Sequence, residues 1–542
     1  MLGHKSLSRR AVLLAAGFVA LRGQLGEARG DEGLAYVETT LQARTGQYAK
    51  NIGTLQTGGY RVVGDGGGGT WRRSDRPDGS SFTDATGQAW VLSDPVVSPK
   101  QVGGFGDGRS DDTSAIQAVV DLCRPVDLGG QENVWLLIAN QDSPFTYGNT
   151  LSPCHFAVSI PRPGLRLSGS GATVRFRGYR PADVIEVNYA FLARKTADEN
   201  ALGPVAVDGL RFEFDGSGVG RNLRSFHIVG SKDVKISNCS FQGLPKRAGS
   251  TITLQNCSNI HMYNLSFKDV TQGMNFSYVN NVVVDNIIFD NFVEAIDFDR
   301  VAINVNISNV FFKNGGQCLD FSSIEDVSVS AVSAEKVGNI VKLNYKPTTP
   351  PTYEEYLAGV MKPGRPTVGG RILIRNVRGV EAGSGRFPAF DIGFSRSGPY
   401  GNWPAVPEIK LIDVRLTKSG WTRIREGVGI SLEDWRLTDV TGTDSRFGAA
   451  IHASGSDPKG PGALSIALRN IVVEGVEGDA ILVERPASLS VEGLHVSRFG
   501  AGRPNSAGLR VIGGAQAGFQ IKPNAVVGSG VPEEQASLVV VE

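Results

Sequence analysis

The sequence predicts an all-β chain: a right-handed parallel β-helix, a solenoid with an N-terminal capping helix. Three observations predict it: a composition suited to strands and tight turns, a repeat of 22–26 residues in mid-chain, and one amphipathic helix ahead of that repeat. Of 542 residues 69 are Gly and only 4 Met, and Val, Ile, Asn and Ser fill the middle, which favours strands and turns over helices. Length alone suggests several domains, but elongated repeat folds run long as one unit.

In chain order, the first element is a targeting segment. "SLSRRAVLLAAGFVAL" sets Arg9 and Arg10 before a moderately apolar run, with Val12 where the twin-arginine pattern prefers Phe, and "GEARG" offers cleavage after Ala28. Residues 1–28 therefore read as a twin-arginine export signal, with an ordinary secretory signal or membrane anchor as the alternative. Either sends the protein out of the cytoplasm, to the periplasm or beyond. Its removal takes away four basic residues and one acid, moving the formal charge from +1 to −2. That balance argues against nucleic acid, whose binders carry a basic stripe. No later run is long and apolar enough for a membrane span. Cys123, Cys154, Cys239, Cys257 and Cys318 form no disulfide framework and have no zinc spacing, so most of them read as small buried hydrophobes.

Residues 29–99 form a glycine-rich lead segment and 100–542 the β-helix domain. "GDGGGG" and "GFGDG" are turn glycines rather than phosphate cradles, since neither leads into Gly-Lys-Ser/Thr within a βαβ unit. "DDTSAIQAVVDLC" places Ile116, Val119, Val120 and Cys123 on one helical face, with Asp111 or Asp112 to cap its start. This helix should cover the open end of the solenoid. The repeats follow as "VKISNCSF", "IHMYNLSF", "VVVDNIIF", "VNISNVFF" and "VSVSAVSA", beginning at Val234, Ile260, Val282, Val305 and Val327. Such a period means a solenoid, and units this short leave no room for a helix. Two columns hold the register: Asn238, Asn264, Asn286 and Asn309, and Phe241, Phe267, Phe289 and Phe312. The asparagines are expected to form a buried amide ladder at a turn and the phenylalanines to fill the interior. Weaker rungs continue through "RILIRNVRG", "EIKLIDVRL", "ISLEDWRL", "LSIALRNIVV" and "LSVEGLHV".

"QVGGFGDGRSDDTSAIQAVVD" (101–121) resembles the opening motif of the pectate-lyase-like, rhamnogalacturonase/epimerase-type β-helix proteins, phage tailspikes among them. "GYRVVGDGGGGTWRR" is similar to the lead segment before that motif. The resemblance spans about residues 50–500 as architecture, though only the opening motif matches closely. It implies an extracellular polysaccharide as ligand, and a homotrimer is frequent in this fold class.

The strands preceding each repeat start, "FHI", "ITL", "MNF", "IDF", "LDF" and "VKL", point their central residues outward: His227, Thr253, Asn275, Asp297, Asp320 and Lys342. Two residues on runs Val229, Gln255, Ser277, Asp299, Ser322 and Asn344. Asp297 and Asp320 should lie about 5 Å apart at the backbone and the Asp299–Asp320 diagonal about 8 Å. Carboxylates so close require a counter-charge, from Lys342, Arg300 or a cation such as calcium. Asn275, Arg300 and Tyr345 are the expected sugar contacts, with Tyr345 opening a proline-rich loop (344–370) that offers stacking faces. His227 reads as structural, and Glu294 stands evenly between ligand and solvated charge.

Resemblance to pectate lyases implies β-elimination from a uronic acid, with Asp297, Asp299 and Asp320 as calcium ligands and Lys342 as base. This reading is placed first. Hydrolysis by paired carboxylates, through Asp299 and Asp320, is the alternative, although the polygalacturonase motifs are missing: "FVE" and Gly316–Gln317 stand in their places. Alginate-epimerase strands are faintly similar, but Asp299 stands where those hold His. A non-catalytic polysaccharide-binding surface protein is the rival of another class.

Overall fold

The computed structural model describes residues 33–139, 141–143, 154–178, 187–193, 202–215, 222–243, 250–299, 301–322, 324–345, 369–383, 387–394, 408–425, 429–441, 448–455, 464–500, 503, 505–513, 519–521, 526–529 and 536–542. The export signal, Arg300 and most of the 344–370 loop lie outside them. The chain divides into two compact units, Met1–Asp94 and Pro95–Glu542.

The first unit carries a five-stranded sheet built from Gly33–Thr39, Ile52–Gly59, Thr70–Ser74, Phe82–Thr83 and Ala89–Leu92. The outer pair is parallel and the remaining pairs antiparallel. Trp71, Trp90, Leu55 and Phe82 fill its core. "GDGGGG" is a turn wrapped on Asp65, whose carboxylate accepts the backbone N–H groups of Tyr60, Arg61, Val62 and Gly67. The N–H groups available for an anion are thus spent on the chain's own carboxylate, as a turn requires. Gly64 and Gly66 sit at φ 84° and 83°, where a side chain would be strained.

In the second unit the expected helix spans Thr113–Asp121, with Ile116, Val119 and Val120 buried. Asp111 accepts the Thr113 N–H at 3.0 Å, while Asp112 reaches back to the N–H groups of Phe105 and Gly106. The two aspartates therefore divide the work, one serving the helix start and one tying it to the glycine turn. Gln117 anchors the helix to the neighbouring Cys154–Ile160 strand, exchanging bonds with the Ser159 N–H (2.8 Å) and carbonyl (3.2 Å). Cys123 departs from the expected apolar face: it follows the helix at φ 56° and is exposed. Cys239, Cys257 and Cys318 are buried and free.

The repeats stack in parallel. Ser258–Ser277, Val279–Phe298, Ala302–Phe321 and Ile324–Tyr345 are successive coils, each pairing with the next in register. Val234, Ile260, Val282, Val305 and Val327 are neighbours in sequence order, as are Phe241, Phe267, Phe289 and Phe312. The phenylalanine rings lie nearly parallel with centroids 4.9, 4.5 and 5.5 Å apart. Each buried ring contributes about 1.5–3 kcal/mol by leaving water. The five weaker rungs continue the same stack.

The asparagine ladder is present but not buried. Asn264 donates to Asn238 at 2.6 Å and Asn286 to Asn264 at 3.3 Å, on the exposed outer corner. The inward space at this corner goes to the flanking apolar residues. What selects Asn is the backbone: all four column members have φ of 53–54°, the left-handed region that Asn tolerates best after Gly. Two further corners repeat the device with Asn259, Asn281 and Asn304, and with Asp269, Asn291 and Asn314.

Candidate active site

The outward column forms as expected. Register pairs His227 with Thr253, then Asn275, Asp297, Asp320 and Lys342 in turn. Ile296, Phe298, Leu319 and Phe321 flank the acids and point into the core.

A second column converges on the first. Gln272, Glu294, Gln317 and Asn339 are aligned on successive rungs, each three residues before a member of the first column. Between them lie two consecutive inward residues, such as Ala295–Ile296 and Cys318–Leu319. This breaks the strict alternation of a strand and folds residues three apart onto one face.

The result is a connected polar cluster. Gln272 Nε2 donates to Glu294 (2.9 Å) and Asp297 (3.0 Å), and Asn275 Nδ2 donates to Asp297 (2.9 Å). Gln317 Nε2 donates to Glu294 (3.0 Å) and also to Asp320. Lys342 Nζ lies 2.7 Å from Asp320 Oδ2 and 3.3 Å from Gln317 Oε1. Carboxylate oxygens of Glu294, Asp297 and Asp320 lie within 4.8 Å of one another. Asp297 and Asp320 are only 8% and 7% exposed, so neither is a solvated surface charge. Asp320 Oδ1 is buried without a hydrogen-bond partner.

Charge follows this geometry. Burial, then Glu294, Asp299 and Asp320, pushes the Asp297 carboxyl up to about 8. Burial and Asp320 raise Glu294 as well. At neutral pH Asp297 therefore holds a proton while Asp320 faces an ammonium. His227, stacked on Tyr189 at 4.9 Å, is pushed down to about 3 by burial and by Arg224. It stays neutral and belongs to the packing.

Asn275 joins the cluster directly, whereas Asp299 is exposed and stands outside the set of three close acids. Tyr345 ends the Ile324–Tyr345 coil; its side chain, like Arg300, falls outside the described residues. Glu294, left evenly between ligand and solvated charge by the sequence, joins the cluster, and Gln272 and Gln317 enter unforeseen. The signal for them is the repeated spacing Gln272–Asn275, Glu294–Asp297, Gln317–Asp320 and Asn339–Lys342, in which both positions are polar in every coil.

Calcium binds six to eight oxygen ligands. Here the acid oxygens receive N–H groups from Gln272, Asn275 and Gln317, and the Lys342 ammonium occupies the cation's place beside Asp320. The donor set does not fit calcium in this arrangement.

Among solved structures, the glycan biofilm-modifying enzyme WceF of Pantoea stewartii is 15% identical over 65% of this chain, with a TM-score of 0.38. This chain spans 47% of that protein's length. A family 28 exopolygalacturonase of Yersinia enterocolitica is 13% identical, over 73% of this chain and 83% of its own, at TM-score 0.42. An α-1,3-glucanase of Streptomyces thermodiastaticus is 12% identical, over 84% and 74%, at 0.38. No curated protein matches the sequence. The family model described as "Right handed beta helix region" matches residues 203–332. With parallel pairing running rung by rung on both sides of that segment, the chain is a right-handed parallel β-helix protein.

Proposed function

We propose that the protein is an exported polysaccharide-cleaving enzyme, and that it works as a glycoside hydrolase with Asp297 as general acid and Asp320 as its ionised partner. The observation that carries this reading is the contrast in surroundings between the two carboxyl groups: amide donors and neighbouring acids around Asp297, the Lys342 amine against Asp320. They are neighbours on adjacent rungs, yet burial among acids keeps Asp297 protonated and Lys342 holds an ammonium 2.7 Å from Asp320. Two neighbouring carboxyl groups in such different surroundings suit the acid and the base, or nucleophile, of glycosidic cleavage. Asp297 supplies the proton that the leaving oxygen needs. Lys342 and Gln317 hold Asp320 Oδ2 in place, and its carboxylate would serve the anomeric carbon or the water that attacks it. Asn275 and Gln272 fix the Asp297 carboxyl in place.

Elimination by Lys342 asks instead for a neutral amine. Its Nζ is already engaged with Asp320 Oδ2 at 2.7 Å and Gln317 Oε1 at 3.3 Å rather than standing free to take a proton, so hydrolysis stands ahead of elimination.

The test is a screen of plant, bacterial and algal polysaccharides, read both for reducing ends and for the ultraviolet absorbance of unsaturated uronate. Hydrolysis predicts reducing ends without unsaturation, unaffected by chelator, and a loss on the order of 10³-fold in kcat for Asp320→Asn with substrate binding retained. Unsaturated product would return the assignment to elimination. Retained chemistry in an Asp297→Asn, Asp320→Asn double variant would place the centre elsewhere, and binding without cleavage in the wild type would make the protein a binding module.

A further inference from the structure

The convergent polar column begins one coil before Gln272. The strand Ser250–Gln255, "STITLQ", pairs with the Ser258–Ser277 coil and sets Ser250 against Gln272 and Thr253 against Asn275. Ser250 and Thr253 thus repeat the three-residue spacing of Gln272–Asn275 and Glu294–Asp297, with Thr251 and Ile252 buried between them. Ser250 is only 1% exposed, and its hydroxyl meets the side chain of the next rung instead of solvent.

Every polar atom of the Gln272 side chain is committed. Nε2 carries two hydrogens, and these go to Glu294 Oε2 (2.9 Å) and Asp297 Oδ2 (3.0 Å). Oε1 accepts the Ser250 hydroxyl. The Gln272 backbone carbonyl accepts Thr251 Oγ1 at 2.9 Å, so two successive hydroxyl residues hold this one glutamine. The arrangement parallels that of Gln317, whose Oε1 accepts Lys342 Nζ at 3.3 Å while its Nε2 donates to Glu294 and Asp320. Lys342 touches Asp320 directly; Ser250 reaches Asp297 only through the amide.

The direction of that amide matters to an acid. Asn275 Nδ2 and Gln272 Nε2 both donate to the same Asp297 oxygen, Oδ2. An oxygen that accepts two N–H groups is not the one that carries the carboxyl proton, so the proton sits on Oδ1. The two ends of a glutamine amide are nearly alike in shape but opposite in hydrogen bonding. A carbonyl deprived of its donor is penalised, and turning the amide over would relieve it. Gln272 would then offer Oε1 to Asp297, and the acid could spend its proton on that carbonyl through Oδ2.

We propose that Ser250 is a positioning residue for Asp297: by holding the Gln272 carbonyl it keeps the amide N–H on Oδ2 and the transferable proton on Oδ1. The assignment rests on the glycan-cleaving reading of that centre.

Polygalacturonate, alginate and xanthan are the probes, with reducing-end release as the readout and melting curves to establish that each variant is folded. Ser250→Ala should lower kcat by about tenfold and leave KM within about twofold, because a misdirected acid impairs the transition state more than binding. Ser250→Thr, which keeps the hydroxyl, should retain most of the rate. In a Gln272→Ala background Ser250→Ala should cost nothing further, since residues that act through one partner are not additive. An undiminished kcat in Ser250→Ala would overturn the role while leaving Asp297 as the acid. So would the same tenfold loss on top of Gln272→Ala. Should the wild type cleave none of the polymers, the failure lies with the hydrolase reading, and urea unfolding decides the positioning. Ser250→Ala and Asp297→Asn should then be non-additive in stability, and additive once Gln272 is replaced by Ala. Additivity with Gln272 in place overturns the proposal.

Discussion

At the residue scale, a carboxyl group shielded from water beside Glu294 and Asp320, with the charge of Asp299 nearby, keeps its proton well into the neutral range, and this has two measurable consequences for Asp297. The first is on stability. Its pKa rises from 3.8 to about 8 on folding, so between those values the folded state binds a proton that the unfolded state has released. Stability is then lost as pH rises through that window. Asp297→Asn removes the dependence, and the variant should gain in melting temperature over the wild type at pH 8 while differing little near pH 4. An equal difference at both pH values would mean that Asp297 is not proton-bound in the fold. The second consequence is on rate. If Asp297 is the acid, kcat/KM should fall on the alkaline side near pH 8, and a profile flat to pH 9.5 would exclude it from that role. The positions of Asp297 and Asp320 were legible in "IDF" and "LDF", because alternation within one strand is a local property. The part played by Glu294 was not, since it depends on the corner at Ala295–Ile296 that breaks the alternation.

At the element scale, the coil is held by corners as much as by its core. Asn264 sits at φ 54° on an exposed corner and donates to Asn238 at 2.6 Å. A β-carbon in that region costs about 1–2 kcal/mol, which Asn offsets through the ladder and Gly avoids altogether. Asn264→Ala should therefore lose about 1–2 kcal/mol in denaturant unfolding, and Asn264→Gly distinctly less. Equal losses would locate the asparagine's value in its side-chain bond alone. The interior makes the contrasting demand. Phe267 is stacked between Phe241 and Phe289 at 4.9 and 4.5 Å, and Phe267→Ala should cost about 3–5 kcal/mol through the cavity it leaves. Both columns were readable in the sequence; that the ladder faces solvent was not, because a period gives register and not depth.

At the scale of the whole molecule, the chain combines the sheet unit ending at Asp94 with a solenoid from Pro95 onward. No helix among the described residues is long and apolar enough to cross a membrane. Changing Arg9 and Arg10 together to Lys should strand folded precursor in the cytoplasm, as judged by fractionation, if export uses the twin-arginine route; normal release would assign it to the general secretory route. The stacking of coils was determined by the sequence alone, because a hydrophobic column repeating every 22–26 residues has one parallel register that buries all its members. The acids shared that certainty, being placed by the same period. Only the tertiary structure decided which polar groups meet. Gln272, Glu294 and Gln317 reach the acids around a corner, and Asp391 follows Lys342 across 49 residues, more than two repeat lengths, with no periodicity to foretell it. The protonation of Asp297 was decided there too, since a pKa is set by desolvation and neighbouring charge, and neither exists until the coils have closed over the carboxyl group.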